Sequence, residues 1–290
     1  MDINLLHGDC LELMQDIPDK SMEINKVYCM DNLELMEQID DESVDLIYCD
    51  ILYNTGRKFD DYDDNLGTTQ EAINWYTPRL LEMKRVLRNT GNIYIHCDYR
   101  LSHYIKVLMD DIFGEKNFIN EIIWAYRTGG VSKKYFQRKH DNILRYSKTD
   151  KYTHNPLFEK SYLESQKTVD VSSPSSKKWD LKRDDAGVYR NVHMRDVWDI
   201  NIIYNQDKQA VGYDTQKPKE LLERIIKASS NKGDIVADFF CGSGTTGVVA
   251  KELGRNYIMC DVSPKAVEIS EMRLERISEA QNKPEQITMW

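Results

Sequence analysis

One stretch constrains the fold of this chain more than any other: Asp234-Ile-Val-Ala-Asp-Phe-Phe-Cys-Gly-Ser-Gly-Thr-Thr-Gly247. The apolar run of Ile235, Val236, Ala237, Phe239 and Phe240 reads as a buried parallel strand. It breaks at Gly242-Ser-Gly244 into a helix through Val248, Val249 and Leu253, stopped by Gly254. Glycines at such a bend let the main chain approach a ligand closely, and the helix start offers free N–H groups. Gly242, Gly244 and Gly247 satisfy the dinucleotide pattern G-x-G-x-x-G, which a tight turn without any cofactor can also match. The next strand, Asn256 to Cys260, ends at Asp261, an acid positioned to bind a ribose diol. Asp261 follows Gly247 by 14 residues and Gly242 by 19, so spacing leaves NAD open.

Upstream, strands alternate with helices. Ile24–Cys29 and Val44–Cys49 read as strands separated by a turn at Asp31 and a short helix. The second strand runs into Asp50-Ile-Leu-Tyr53 and a polar loop. A long helix comes next, with Ile73, Tyr76, Leu80, Met83 and Leu87 at helical spacing, Gly91 as its stop and Pro78 as a kink or late start. The strand Ile93–Cys97 precedes an amphipathic helix through Leu101, Ile105 and Ile112 that ends at Gly114. Phe118–Tyr126 and Asn142–Tyr146 read as further strands. The alternation implies an α/β fold with a doubly wound, mostly parallel sheet covered on both faces. Residues 150–204 lack periodicity and interleave aromatics with charges, which suggests an irregular inserted recognition region. Residues 1–21 are nearly repeated by residues 22–43: Asp9, Leu11, Glu12, Leu13 and Met14 recur as Asp31, Leu33, Glu34, Leu35 and Met36. The first copy reads as a dispensable spare start, and residues 281–290 as a tail.

Charge is unevenly divided. From Arg127 to Arg183 there are 14 Lys and Arg against 6 Asp and Glu, so this segment carries +8 within a chain of net charge −9. A basic segment in an acidic body suggests a localised polyanion-binding face; a solvated lysine loop is the alternative. No 18-residue apolar run occurs and the N-terminus is too acidic for a signal peptide, so a cytoplasmic protein that does not enter the membrane is expected. The six cysteines form no C-x-x-C pair and read as buried reduced thiols.

Three landmarks now stand in fixed order: Asp50-Ile-Leu-Tyr53, Thr215-Gln-Lys-Pro218 and Asp238-Phe-Phe-Cys-Gly-Ser-Gly-Thr-Thr246. Together they resemble the β class of DNA amino-methyltransferases, enzymes that use S-adenosylmethionine to methylate the N6 amine of adenine or the N4 amine of cytosine. The likeness covers about Ile24 to Ile277. It implies a circularly permuted, Rossmann-like methyltransferase sheet, with a catalytic half over residues 22–149, target recognition over 150–204 and a cofactor half over 205–280. By this resemblance Asp50, Ile51 and Tyr53 are catalytic. Cofactor contacts fall to Asp31 near the adenine ring, Lys217 and Pro218 beside the methionine moiety, the turn residues Asp238, Phe240, Gly242, Ser243, Gly244 and Thr245, and Asp261 at the ribose.

The chemistry suits these residue types. An exocyclic base amine is a weak nucleophile because its lone pair is delocalised into the ring. A carboxylate (Asp50) and a backbone carbonyl (that of Ile51) accepting its two N–H bonds favour a tetrahedral nitrogen aimed at the methyl donor. The base must leave the duplex, and Tyr53 offers a stacking face. The family's usual two prolines are replaced by Ile51-Leu52, which leaves the loop's preorganisation to other contacts. Aspartate as the first residue tilts the target toward adenine over cytosine. Double-stranded DNA is the expected partner, held by Arg127, Lys133, Lys134, Arg138 and Lys139. A homodimer and a cognate restriction endonuclease are left open as further partners. No metal is expected, since no ligand spacing appears and methyl transfer needs none; His96 and His140 receive no role. Three rivals stand beside an N6-adenine enzyme: an N4-cytosine enzyme, a DNA-binding relative with weakened catalysis, and an NAD-dependent dehydrogenase.

Overall fold

The computed structural model describes residues 22–58, 63–130, 132–163 and 169–282. The repeated segment 1–21 lies outside the described residues. In chain order the strands are β1 (Lys26–Cys29), β2 (Val44–Asp50), β3 (Arg57–Lys58), β4 (Asp63–Asp64), β5 (Leu87–Cys97), β6 (Phe118–Ala125), β7 (His140–Ser147), β8 (Phe158–Tyr162), β9 (Lys182–Asp184), β10 (Gly187–His193), β11 (Val197–Asp199), β12 (Ile235–Asp238) and β13 (Asn256–Asp261). The α-helices are α1 (Asn32–Met36), α2 (Thr69–Val86), α3 (Ser102–Phe113), α4 (Pro174–Lys178), α5 (Lys219–Ser229), α6 (Thr245–Glu252) and α7 (Pro264–Asn282). None of the described helices is long and apolar enough to cross a membrane.

Eight strands form the main sheet in the order β1-β13-β12-β2-β5-β7-β6-β11, and β7 alone runs against the others. The strand that opens the described chain pairs in parallel with the one near its end, Lys26 to Cys29 lying against Ile258 to Asp261. This is the permuted α/β sheet that the resemblance implies. Central strands such as Val-Asp-Leu-Ile-Tyr-Cys-Asp of β2 are buried almost throughout, because helices cover both faces. On one face Leu35, Tyr76, Leu80, Met83, Ile105 and Met109 of α1, α2 and α3 meet Ile47, Ile95 and Ile258. On the other, Leu222, Ile226, Val249 and Leu274 of α5, α6 and α7 meet Leu46, Val236 and Met259. The carboxyl ends of β1, β12, β13 and β2 thus open onto one edge, where open α/β sheets bind ligands.

Two expectations are corrected. Helix α2 stops at Val86, because the chain turns extended at Leu87 and pairs with Val44; Gly91 therefore lies in β5 and stops no helix. A Cβ there would sit 2.6 Å from Leu87 Cδ1, so the bulge between Leu87 and Asn92 needs a glycine. The helix also begins nine residues before Pro78, on a capping box of Thr68 and Glu71, and runs through the proline. Within residues 150–204, the expected irregular region instead contains a three-stranded antiparallel sheet, β8-β10-β9, together with α4 and the edge strand β11 of the main sheet. Asp184 seeds the β9–β10 turn by accepting from the main-chain N–H groups of Ala186 and Gly187. Little of this small sheet is buried, so no apolar alternation marks it in the sequence.

Candidate active site

Strand β2 ends at Asp50, whose carboxylate is 19% exposed. The Tyr53 hydroxyl donates to its Oδ1 at 2.6 Å, and the Lys217 ammonium pairs with Oδ2. Burial, and then the neighbouring Asp50 charge, hold the Tyr53 phenol well above its usual range, so it remains a donor. The loop between them is pinned without prolines. Ile51 N–H donates to the His96 carbonyl at 3.1 Å, a bond a proline could not make, and its side chain joins the core. The Tyr76 hydroxyl donates to the Leu52 carbonyl at 2.8 Å. Beyond Tyr53, Asp64 accepts from the main-chain N–H groups of Asn54 and Thr55, and Asn54 sits at a φ of 54°.

His96, given no role by the sequence, lies directly behind Asp50. The sheet register sets the two side by side, and His96 is fully buried. Its Nδ1 is 2.8 Å from the Tyr48 hydroxyl and 3.5 Å from Asp50 Oδ1, while Nε2 is 3.4 Å from Asp141 Oδ2. The Tyr126 hydroxyl donates to the other Asp141 oxygen at 3.1 Å. Burial pushes the Asp141 carboxyl up, but the His96 contact and the charges of His96 and Lys217 leave it below the usual range. One signal could have found His96: two adjacent parallel strands ending together at Asp50 and Cys97.

Across the cleft, Gly242 and Gly244 adopt φ of 49° and 72°, a left-handed bend that side chains resist. A Cβ on Gly244 would lie 2.4 Å from Ser270 Oγ, so α7 packs directly against bare backbone. Asp261 accepts from Gly242 N–H and Ser263 N–H, each at 2.9 Å, which fixes its carboxylate at the end of β13. Buried Arg273 donates to the Ser243 carbonyl and to Thr245 Oγ1 from below the bend. Asp238 is buried, accepting from Thr246 and from Phe240 N–H; its burial, only partly offset by these bonds, raises its pKa to about 7. Thr245 donates to the Lys217 carbonyl at 3.2 Å, tying the bend to the residue that reaches Asp50.

These two walls enclose one cavity of about 890 Å³. Asp50, Ile51 and Tyr53 line it together with Asp31, Lys217, Asp238, Phe240, Gly242, Ser243, Thr245 and Asp261. Pro218 caps α5 and Gly244 caps α6; neither lines the cavity. Asp31 caps α1 and is bound by Arg79 at 2.8 Å, so it is held in place with one edge toward the space. Trp75, which the sequence did not single out, also lines the cavity; its ring lies 6.1 Å from Phe240, and the Arg79 guanidinium sits 3.5 Å above it.

Of the five basic residues expected to face DNA, Arg138 alone lines the cavity, donating to the Tyr99 hydroxyl at 2.6 Å. Lys133 and Lys134 are exposed on the loop between β6 and β7, and Arg127 is 85% exposed at its stem. Lys139 is occupied by its own loop, donating to the Thr128 and Gly129 carbonyls at 2.9 and 2.6 Å.

Comparison with known proteins gives a consistent pattern. A family model described as DNA methylase matches residues 44–272. The DNA adenine methyltransferase YhdJ of Escherichia coli (strain K12) is 32% identical over 276 residues, covering 93% of this chain and 82% of that protein. The type II methyltransferase M.HpaI of Haemophilus parainfluenzae is 30% identical over 254 residues, covering 86% and 74%. Among solved structures, the PvuII DNA methyltransferase (cytosine-N4-specific) shares the fold at a TM-score of 0.63 and 18% identity, covering 90% of this chain and 92% of that one. The M1.HpyAVI–SAM complex does so at 0.54 and 20%, covering 86% and 98%.

Proposed function

The chain belongs to the DNA methylase family whose model spans residues 44–272, and on that premise we propose that it methylates the N6 amine of adenine in double-stranded DNA with S-adenosylmethionine as donor. The observation that carries this reading is the single cavity in which Asp50 and Tyr53 face the Gly242–Thr245 bend.

The cavity residues fit the cofactor. Bare backbone at Gly242, a carboxylate with a fixed orientation at Asp261 and the rings of Phe240 and Trp75 suit a ribose, an adenine and a charged amino-acid tail. The Asp261 carboxylate, an acceptor at the carboxyl end of β13, suits ribose hydroxyls. The Lys217 ammonium, which lines the same cavity, suits the methionine carboxylate. When bound, the cofactor supplies a methyl group activated by a sulfonium.

This chain's residues then prepare the amine. Asp50 accepts one amine N–H and the Ile51 carbonyl the other, which draws the nitrogen toward tetrahedral geometry. Tyr53 holds the carboxylate through its hydroxyl and presents its ring for stacking. Lys217 occupies the oxygen that the base requires, so base entry must displace its ammonium toward the cofactor side. His96, braced by Tyr48 and Asp141, stops Asp50 from turning away. The methylated nitrogen sheds its extra proton to Asp50 or to water.

Adenine over cytosine is supported by the aspartate at position 50 and by the kinship with an adenine methyltransferase. Nucleoside analysis of DNA from cells making the chain tests this. N6-methyladenine is expected; N4-methylcytosine without methyladenine would move the target to cytosine.

A further inference from the structure

Phe136 is 97% exposed, the barest large apolar side chain among the described residues. A single exposed apolar residue is common and by itself means little. Its setting is less ordinary. It sits on the β6–β7 loop between Tyr135, also 59% exposed, and the run Arg138-Lys139, with Lys133 and Lys134 just before it.

The stem of this loop is fixed on both sides. Lys139 ties to the Thr128 and Gly129 carbonyls, the Tyr204 hydroxyl donates to the Arg127 carbonyl at 2.7 Å, and Tyr126 N–H donates to the Lys139 carbonyl. Arg138 joins the tip to the cavity mouth. Its guanidinium lies 4.1 Å from the Tyr99 ring and 4.9 Å from the Tyr135 ring, and both Arg138 and Tyr99 line the cavity. Two residues span at most about 7 Å of main chain, and the ring of Tyr135, next to Phe136, packs on the same Arg138 guanidinium, so Phe136 stands beside the residues that reach the opening. The cations around it suit phosphates on either side of a single inserted ring.

We propose that Phe136 is a wedge, entering the base stack at the space the target nucleotide leaves and holding the duplex open while the base sits against Asp50. This rests on the DNA-methylating reading above. The ring stacks on neighbouring base pairs and offsets part of the cost of unstacking the target base. Arg138 sets the depth of entry through its stack with Tyr99, and Lys133 and Lys134 hold the backbone.

The test compares Phe136→Ala and Phe136→Trp with the unaltered chain on two duplexes carrying the sequence methylated in host DNA. One duplex is fully paired; the other has an abasic site opposite the target base, which removes most of the cost of extrusion. A wedge predicts that Phe136→Ala slows single-turnover methylation of the paired duplex by about tenfold or more. It predicts rates within about twofold of the unaltered chain on the abasic duplex, and recovery by Phe136→Trp on the paired one. A 2-aminopurine at the target position should brighten less with the alanine variant. Equal losses on both duplexes, or no loss on either, would overturn the wedge. Failure of the unaltered chain to methylate either duplex would instead overturn the functional reading beneath it.

Discussion

Asp50 lines the cavity and Phe136 stands on the loop whose Arg138 lines it, and the chain treats the two differently. Asp50 has a phenol and an ammonium on its oxygens and a fully buried histidine behind it. Phe136 has almost its whole surface in water, on a loop tied down at its stem and, through Arg138, to Tyr99. A group that must meet one amine at one angle gains from a fixed orientation, which the sheet supplies through register and buried hydrogen bonds. Groups that must meet a long polyanion gain from remaining unpaired until it arrives, because phosphate contacts are worth most to cations not already spent on carboxylates.

That contrast can be broken or sharpened by experiment. The largest expected effect concerns the stability of the cavity against pH. Asp238 has its pKa raised to about 7, above its value in an unfolded chain, so the folded state holds the proton more tightly. Its contribution is fully present below the unfolded pKa and is lost as pH rises through about 7, a span worth at most on the order of 4 kcal/mol. Melting temperature should therefore fall between pH 5 and pH 8 in the cofactor-free chain, and Asp238→Asn should flatten the fall; an unchanged slope in the variant would show that the buried carboxyl is not its source. Next is Gly244→Ala, which places a Cβ against Ser270 at a φ of 72°. It should cost about 1–3 kcal/mol of stability, read by denaturant unfolding, and weaken S-adenosylmethionine binding in calorimetry.

Tyr53→Phe keeps the ring but frees Asp50 Oδ1, and a loss of about tenfold in turnover is expected with little change in duplex affinity. Should affinity fall and turnover hold, the cavity and the loop would have been assigned the wrong way round. On the loop, Lys133→Ala with Lys134→Ala should lower duplex affinity and reduce the slope of log affinity against log salt by about 2, leaving single-turnover rates at saturating DNA unchanged. The smallest effect is expected from beginning the chain at Met22: residues 1–21 nearly duplicate residues 22–43, and activity and melting temperature should be preserved.

The same division governs how much could be read from the sequence. The glycine bend, the acid at the end of β13 and the alternating apolar runs are local signals for the sheet and one wall of the cavity, whereas Asp31, Asp50 and Tyr53 stood out only through the resemblance to the methyltransferase class. His96 escaped because its role arises from register: nothing within β5 says that Asp50 will lie beside it, and a buried histidine in a strand resembles any core position. Trp75 escaped for a related reason, being one of two adjacent aromatics on α2 until the crossing beside Phe240 selects it. The end of α2 was misread because Gly91 resembles a helix stop, whereas pairing of Leu87 with Val44 ends the helix four residues earlier. The sheet of β8, β9 and β10 left no periodic trace because it buries little.

The central claim is that Asp50 acts on the amine while the glycine bend holds the donor, in one cavity but through separate contacts. Single-turnover methyl transfer by Asp50→Ala, with S-adenosylmethionine affinity measured by calorimetry on the same preparation, tests this most directly. A rate loss of about a thousandfold with affinity kept within a few-fold is predicted. A rate within about tenfold of the unaltered chain, or a loss of cofactor binding as large as the loss of rate, would contradict it.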